Sequence, residues 1–208
     1  MGGAVPLAYE GAANMHETKK PPGSGRSTYD LIDKERFFEA LNAQTSMVLL
    51  DLGSGIGDYT IPLAEAVGPE GHIWAVDAWE EGLERLSERA REKGMNNISA
   101  LFADVNKHIP LTDGTIDMCL MACVLHDLLR EGSGDTVVRE ILRVMKPGGR
   151  LAVLEFKKIE DGPGPPYHIR LTRDDVERIL APYRFRVESV QDVGKYHYLL
   201  IASAPFQP

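Results

Sequence analysis

An acid, a cluster of glycines and a second acid at a fixed distance are the first features of this chain that could do chemistry. The segment Val48-Leu-Leu-Asp-Leu-Gly-Ser-Gly-Ile-Gly57 is an apolar run that ends near Asp51 and opens into a turn carrying Gly53, Ser54 and Gly55. Glycine has no side chain and tolerates positive φ, so such a turn lets backbone approach a ligand closely, and a helix after it presents free N–H groups. A nucleotide-like ligand is implied. Asp77 ends the next apolar run, 26 positions after Asp51. A carboxylate there can accept two hydrogen bonds from a ribose diol, although an acid in that place can also cap the helix that follows.

The spacing of the glycines separates two kinds of nucleotide site. In a dinucleotide fingerprint a third glycine stands three places after the second, and counting from Gly53 and Gly55 that place holds Asp58. The count argues against an NAD-dependent oxidoreductase. With Asp51 two places before Gly53, the segment resembles the first motif of the class I S-adenosylmethionine-dependent methyltransferases, D-x-G-x-G-x-G. In that family the loop holds the methionine portion of the cofactor. The resemblance therefore implies S-adenosylmethionine as cofactor and S-adenosylhomocysteine as product. Asp104, followed by Val105, stands where the family places the acid that accepts a hydrogen bond from the adenine amine. Ala78 and Trp79 offer apolar surface to the adenine ring. Leu142-Arg-Val-Met-Lys-Pro-Gly-Gly149 resembles the family's L-x-x-x-L-K-P-G-G type of turn, whose role is structural. The chain looks most like the small-molecule branch that includes ubiquinone and menaquinone methyltransferases. That implies an α/β, Rossmann-like three-layer sandwich with a mostly parallel seven-stranded sheet, order 3-2-1-4-5-7-6, and an antiparallel C-terminal strand.

Methyl transfer is an in-line displacement, so alignment and desolvation can supply much of the rate without a covalent enzyme intermediate. A base is needed only where the acceptor carries a proton in its resting form, as a phenol or an acidic carbon does. The segment Ala122-Cys-Val-Leu-His-Asp127 stands where the family places residues beside the reactive methyl. Cys123 is expected against the cofactor. His126 is the candidate for acceptor contact or proton removal, because an imidazole titrates near pH 6.5. A histidine that only orders the start of a helix is the competing reading. Cys119 and Cys123, placed on one strand face, would suit a soft acceptor such as a metalloid. Two thiols without a third ligand fit small buried side chains better, and no metal site is expected. The Pro/Gly-rich loop from Lys157 to Leu171, with Tyr167 and His168, is expected to form the acceptor wall. Gly25-Arg-Ser-Thr-Tyr29 can close the opposite side, bringing Arg26 or Tyr29 near the cofactor carboxylate.

These residues need a scaffold that alternates strand and helix. Apolar runs predict strands over 47–52, 72–77, 98–103, 116–122 and 150–156. Helical spacing predicts helices from Asp33 to before Ser46, over 58–67 and 80–94, around Val137 to Met145, and from Thr172 to about Leu180. The segments 185–193 and 196–204 flank Gly194-Lys195 and predict a terminal hairpin.

At 208 residues, with 43% hydrophobic and 26% charged side chains, the chain supports one domain with a full core. Residues 30–208 are expected to form it. Residues 1–29, rich in Gly, Pro, Ala and Ser, read as a flexible leader, and Met15 offers an alternative start that would leave residues 1–14 non-native. A net charge of -8 gives no broad attraction to phosphate backbones, so no nucleic acid is expected. Two cysteines without disulfide spacing, no span-length apolar run and no signal-peptide pattern point to a soluble cytoplasmic protein, with no membrane association and no indicated oligomeric state. The function expected is methyl transfer from S-adenosylmethionine to a small-molecule acceptor. The competing readings are an NAD-dependent oxidoreductase and a non-catalytic S-adenosylmethionine-binding protein. If Asp77 holds the ribose, Asp77→Ala weakens S-adenosylhomocysteine binding by about 1.5–3 kcal/mol, roughly tenfold or more. Calorimetric titration checks this, and unchanged affinity in a folded variant contradicts the assignment.

Overall fold

The computed structural model describes residues 25–206. Most of the leader, residues 1–24, lies outside the described residues. Seven strands form one sheet: β1 (Val48–Leu52), β2 (His72–Asp77), β3 (Ile98–Phe102), β4 (Ile116–Ala122), β5 (Met145–Phe156), β6 (Arg186–Asp192) and β7 (His197–Ser203). Their order is β3-β2-β1-β4-β5-β7-β6. The first five run parallel, and β7 is antiparallel to both β5 and β6. The expected order and the antiparallel terminal strand are thus both present.

Strand alternation sends neighbouring side chains to opposite faces, and helices cover both. On one face Leu49, Ile73, Ala75, Leu120 and Leu154 pack with α1 (Lys34–Leu41), α2 (Thr60–Val67) and α3 (Glu80–Glu92). On the other, Leu50, Leu52, Val76, Met121 and Val153 pack with α4 (Leu125–Arg130), α5 (Gly134–Val144) and α6 (Arg173–Leu180). Local signals set the helix ends. Asp33 accepts from the Arg36 N–H to cap α1, and Asn42 ends that helix in the left-handed region. Thr172 and Asp175 close a capping box on α6.

Three local expectations need correction. The Lys146–Gly149 turn is built into β5, which starts at Met145 and not at Arg150. Ile116 faces Met145 and Met118 faces Arg150, so two steps on β4 match five on β5 and the extra residues bulge out. α2 starts at Thr60, two residues beyond Asp58, because Asp58 is held instead in an ion pair with Arg89. Cys119 and Cys123 do not share a face. Cys119 packs in one core layer, whereas Cys123 lies past the end of β4 with φ of 58° and contacts the other, which breaks the alternation and removes the basis for a paired thiol site.

The loop from 157 to 171 is organised by Arg170, which is 4% exposed. Its guanidinium donates to the carbonyls of Lys157, Ile159, Gly162, Pro163 and Pro165, at 2.9–3.1 Å, which uses all five of its N–H donors. Replacing it with lysine leaves three donors on a flexible stem. Arg170→Lys is expected to cost about 1–3 kcal/mol and to speed amide exchange across 157–169, measured by hydrogen exchange. Unchanged exchange would show that the loop does not depend on it.

His197 in β7 is fully buried against Phe156, at 4.2 Å between ring centres, and among the described residues neither ring nitrogen finds a hydrogen-bond partner of good geometry. Burial pulls its pKa to about 4, helped by the charges of Lys157 and Arg170 and opposed by the Leu31 backbone. The unfolded imidazole takes a proton near pH 6.5 that the folded one refuses, so its contribution is complete above that pH and is lost as pH falls through 4. The loss reaches about 3 kcal/mol. Denaturation curves from pH 7 to 4 are expected to show a shallower decline in His197→Leu, and parallel curves would contradict this account.

Candidate active site

Because β2 and β3 lie on one side of β1 and β4 and β5 on the other, the loops leaving β1 and β4 part at the carboxyl edge and open a crevice. A cleft of about 740 Å³ lies there. Its floor is the β1 loop. Gly53 has φ of 79°, and a Cβ there would come within 2.5 Å of Val124, so the loop packs directly on the β4 loop. Gly55 has φ of 54° with open space where its side chain would be. Ser54 places its hydroxyl in a buried spot with no hydrogen-bond partner among the described residues. Gly53, Ser54 and Gly55 all line the cleft.

Asp77 joins the β1 and β2 loops. One of its oxygens accepts the Gly55 N–H at 2.7 Å and the other the Trp79 N–H at 2.8 Å. The carboxylate lines the cleft, where it can accept from a ribose hydroxyl. Burial raises the Asp77 pKa, and the three backbone hydrogen bonds from Gly55, Trp79 and Ala78 oppose that rise. Ala78, Asp104 and Val105 continue the wall. The Asp104 carboxylate accepts from the Asn106 N–H and pairs with Lys107, which fixes the turn after β3. Trp79 is buried and does not line the cleft; its ring packs over Gly82, so Ala78 alone supplies the expected apolar surface.

Asp51 sits behind this wall. It is 1% exposed and accepts from the Thr60 hydroxyl at 2.6 Å, so it ties the glycine turn to α2 and does not itself reach the cleft. Burial pushes its pKa up to about 7, against the Thr60 hydrogen bond. A buried Ser54 hydroxyl with no partner among the described residues, a glycine cradle and the Asp77 carboxylate at the cleft fit an adenosyl cofactor with a polar amino-acid end.

The opposite half of the cleft is lined by Cys123, Val124, His126, Phe156, Pro165 and Ile169. His126 is the second residue of α4 and 6% exposed. Its Nδ1 lies 2.9 Å from one Glu155 oxygen and 3.1 Å from the other, and its backbone N–H donates to the same carboxylate at 3.2 Å. Burial lowers the His126 pKa, but the hydrogen bond and charge of Glu155 outweigh it, and the sum lies above the usual imidazole value. Cys123 also faces this region, its thiol driven well up in pKa by burial.

Residues 25–28 close one side of the cleft. Thr28 hydrogen-bonds the Tyr59 hydroxyl at 2.8 Å and receives the Cys123 thiol at 3.6 Å, and Tyr29 packs edge-on against Tyr59 at 5.1 Å. The end of the expected flexible leader is thus anchored. Of the two residues placed near the cofactor carboxylate, Arg26 lines the cleft and Tyr29 does not. From the 157–171 loop, Gly164, Pro165, Pro166 and Ile169 reach the cleft, while Tyr167 and His168 do not. Glu155, Tyr59, Thr28 and Arg170 escaped the sequence reading. Glu155 carried a signal, being an acid inside an apolar strand, as Asp51 and Asp117 also are.

Residues 43–194 match the model of a methyltransferase domain family. The chain is 30% identical over 205 residues to a ubiquinone/menaquinone biosynthesis C-methyltransferase, UbiE, of Burkholderia ambifaria, covering 89% of this chain and 82% of that protein. A crystal structure of an S-adenosylmethionine-dependent methyltransferase from Aquifex aeolicus is similar with a TM-score of 0.78 and 32% identity, over 87% of this chain and 94% of that one. A type 11 methyltransferase structure from Sulfolobus solfataricus, described as putative in its own name, shares the fold at TM-score 0.68 and 22% identity, over 84% and 94% of the two chains. The cleft and these relatives agree, and the chain belongs to the methyltransferase domain family as an S-adenosylmethionine-dependent methyltransferase.

Proposed function

We propose that this enzyme methylates a small, largely apolar molecule that gives up a proton, and that His126 receives that proton. The observation that carries the reading is that Asp77, at the end of β2, and His126, in the helix after β4, line one cleft. Gly53, Ser54, Gly55, Asp77, Ala78, Asp104, Val105 and Cys123 hold the cofactor in this reading, with Asp51 acting from behind through the loop. Bound S-adenosylmethionine supplies the electrophilic methyl group. The acceptor's bond to hydrogen breaks, and its electron pair forms the new bond to the methyl carbon. The departing sulfur keeps the electron pair of the old bond, and the proton passes to His126.

Phe156, Pro165 and Ile169 supply an apolar wall that suits a planar or alkyl acceptor and excludes water from the proton transfer. The name of the Burkholderia relative, a C-methyltransferase of quinone biosynthesis, is in keeping with an acceptor that carries a hydroxylated ring. The acidic net charge of -8 argues against a nucleic-acid substrate. Two free cysteines fit a reducing, cytoplasmic setting, and among the described residues no helix is long and apolar enough to cross a membrane.

The test is S-adenosylhomocysteine release across a panel of small phenols and hydroxylated rings, for the natural chain and for His126→Gln. Loss of a positioned base is expected to lower kcat by about 10²–10⁴-fold while calorimetric affinity for S-adenosylhomocysteine is kept. Full turnover in a folded His126→Gln variant removes the histidine from the reaction.

A further inference from the structure

Glu155 is an anomaly in the core. It lies in the apolar carboxyl half of β5, between Leu154 and Phe156, and has no exposed surface. A carboxylate without water costs several kcal/mol unless strong partners compensate, and an apolar side chain at such a position would serve packing alone. Among the described residues its hydrogen-bond partners belong to a single residue, the ring Nδ1 and the backbone N–H of His126. The groups that face the pair are Asp127 and Arg130 from α4, Cys123 at the end of β4 and Tyr198 across the β5–β7 ladder. None of these takes the Nδ1 position. Nε2 is left 3.6 Å from Asp127, beyond a good hydrogen bond, and His126 lines the cleft.

We infer that Glu155 is a positioning residue: its carboxylate accepts the Nδ1–H of His126, fixes the ring in a single tautomer and leaves bare Nε2 as the atom that meets the acceptor's proton. The inference rests on the reading of His126 as proton acceptor. Two contacts set the geometry. One Glu155 oxygen holds the first turn of α4 through the His126 backbone N–H, and the other holds the ring, so neither the ring nor its helix can rotate alone. When Nε2 gains a proton, the resulting imidazolium already has its counter-charge beside it, and no solvent need reorganise. A dyad of this kind favours acceptors that lose a proton on methylation, such as a hydroxyl or an activated carbon, over a thioether or tertiary amine that does not.

The test reads the ring directly and needs no acceptor. The full chain, labelled with nitrogen-15 in its six histidines, is titrated by NMR with and without S-adenosylhomocysteine, and His126→Gln assigns the signal. In the natural chain the neutral His126 ring is expected to carry its proton on Nδ1. In Glu155→Gln the amide carbonyl can keep the backbone bond while the amide N–H turns to Nδ1, so the ring is expected to move its proton to Nε2. The proton affinity of His126 is expected to fall about tenfold or more. A neutral ring protonated on Nε2 in the natural chain overturns the inference without any variant. So does an unchanged tautomer and proton affinity in folded Glu155→Gln. If the Nδ1–H tautomer is found but His126→Gln keeps full turnover, it is the reading of His126 as proton acceptor that fails.

Discussion

The cleft depends on a reversal in the winding of the parallel sheet. From β1 the chain builds outward through β2 and β3, then crosses back to lay β4 on the other side of β1. Helices α1 to α3 cover one face and α4 to α6 the other, so the connections from β1 and β4 leave in opposite directions and cannot fill the space between them. Much of the cleft lining follows strands that end at that edge. β1 delivers the glycine turn, β2 delivers Asp77, β4 delivers Cys123 and α4, and β5 delivers Glu155 beneath His126.

The two halves of the cleft are built on different electrostatics. The cofactor half leaves polar groups half-satisfied. Asp77 takes three backbone hydrogen bonds and still lines the cleft, and Ser54 buries a hydroxyl with no partner among the described residues. Such groups cost free energy in the empty protein and return it when a ligand completes them. The other half carries the apolar side chains Phe156, Pro165 and Ile169 together with a compensated pair, in which a fully buried acid meets a histidine. Two devices then enclose this half. Arg170 gathers five carbonyls of an irregular loop, and Thr28 ties the entering chain to Tyr59 and Cys123.

The wall of the cleft built from the glycine turn and Asp77 was legible in the sequence because its requirements are local. A glycine cradle must be glycine, and an acid that meets a ribose must end a strand, so Gly53, Gly55 and Asp77 announce themselves by type and spacing. The sheet order came through the motif resemblance, since apolar runs alone do not say which strands are neighbours. Partnerships across the chain left little trace. Glu155 and His126 are 29 positions apart, and Thr28 and Cys123 are 95 apart. Trp79 looked like a ligand platform by position, but its ring turns back onto Gly82, the residue in α3 that leaves room for it. The start of β5 was misplaced because Pro and Gly normally end a strand, whereas here they form a bulge that the flanking pairs of β4 and β5 tolerate.

Whether the two walls serve one reaction is decided most directly by a crystal structure of the complex with S-adenosylhomocysteine. The account predicts ribose hydroxyls on the Asp77 carboxylate, adenine beside Ala78 and Val105, and the sulfur on the side of Cys123 and His126. A ribose away from Asp77, or a sulfur remote from His126, would contradict it.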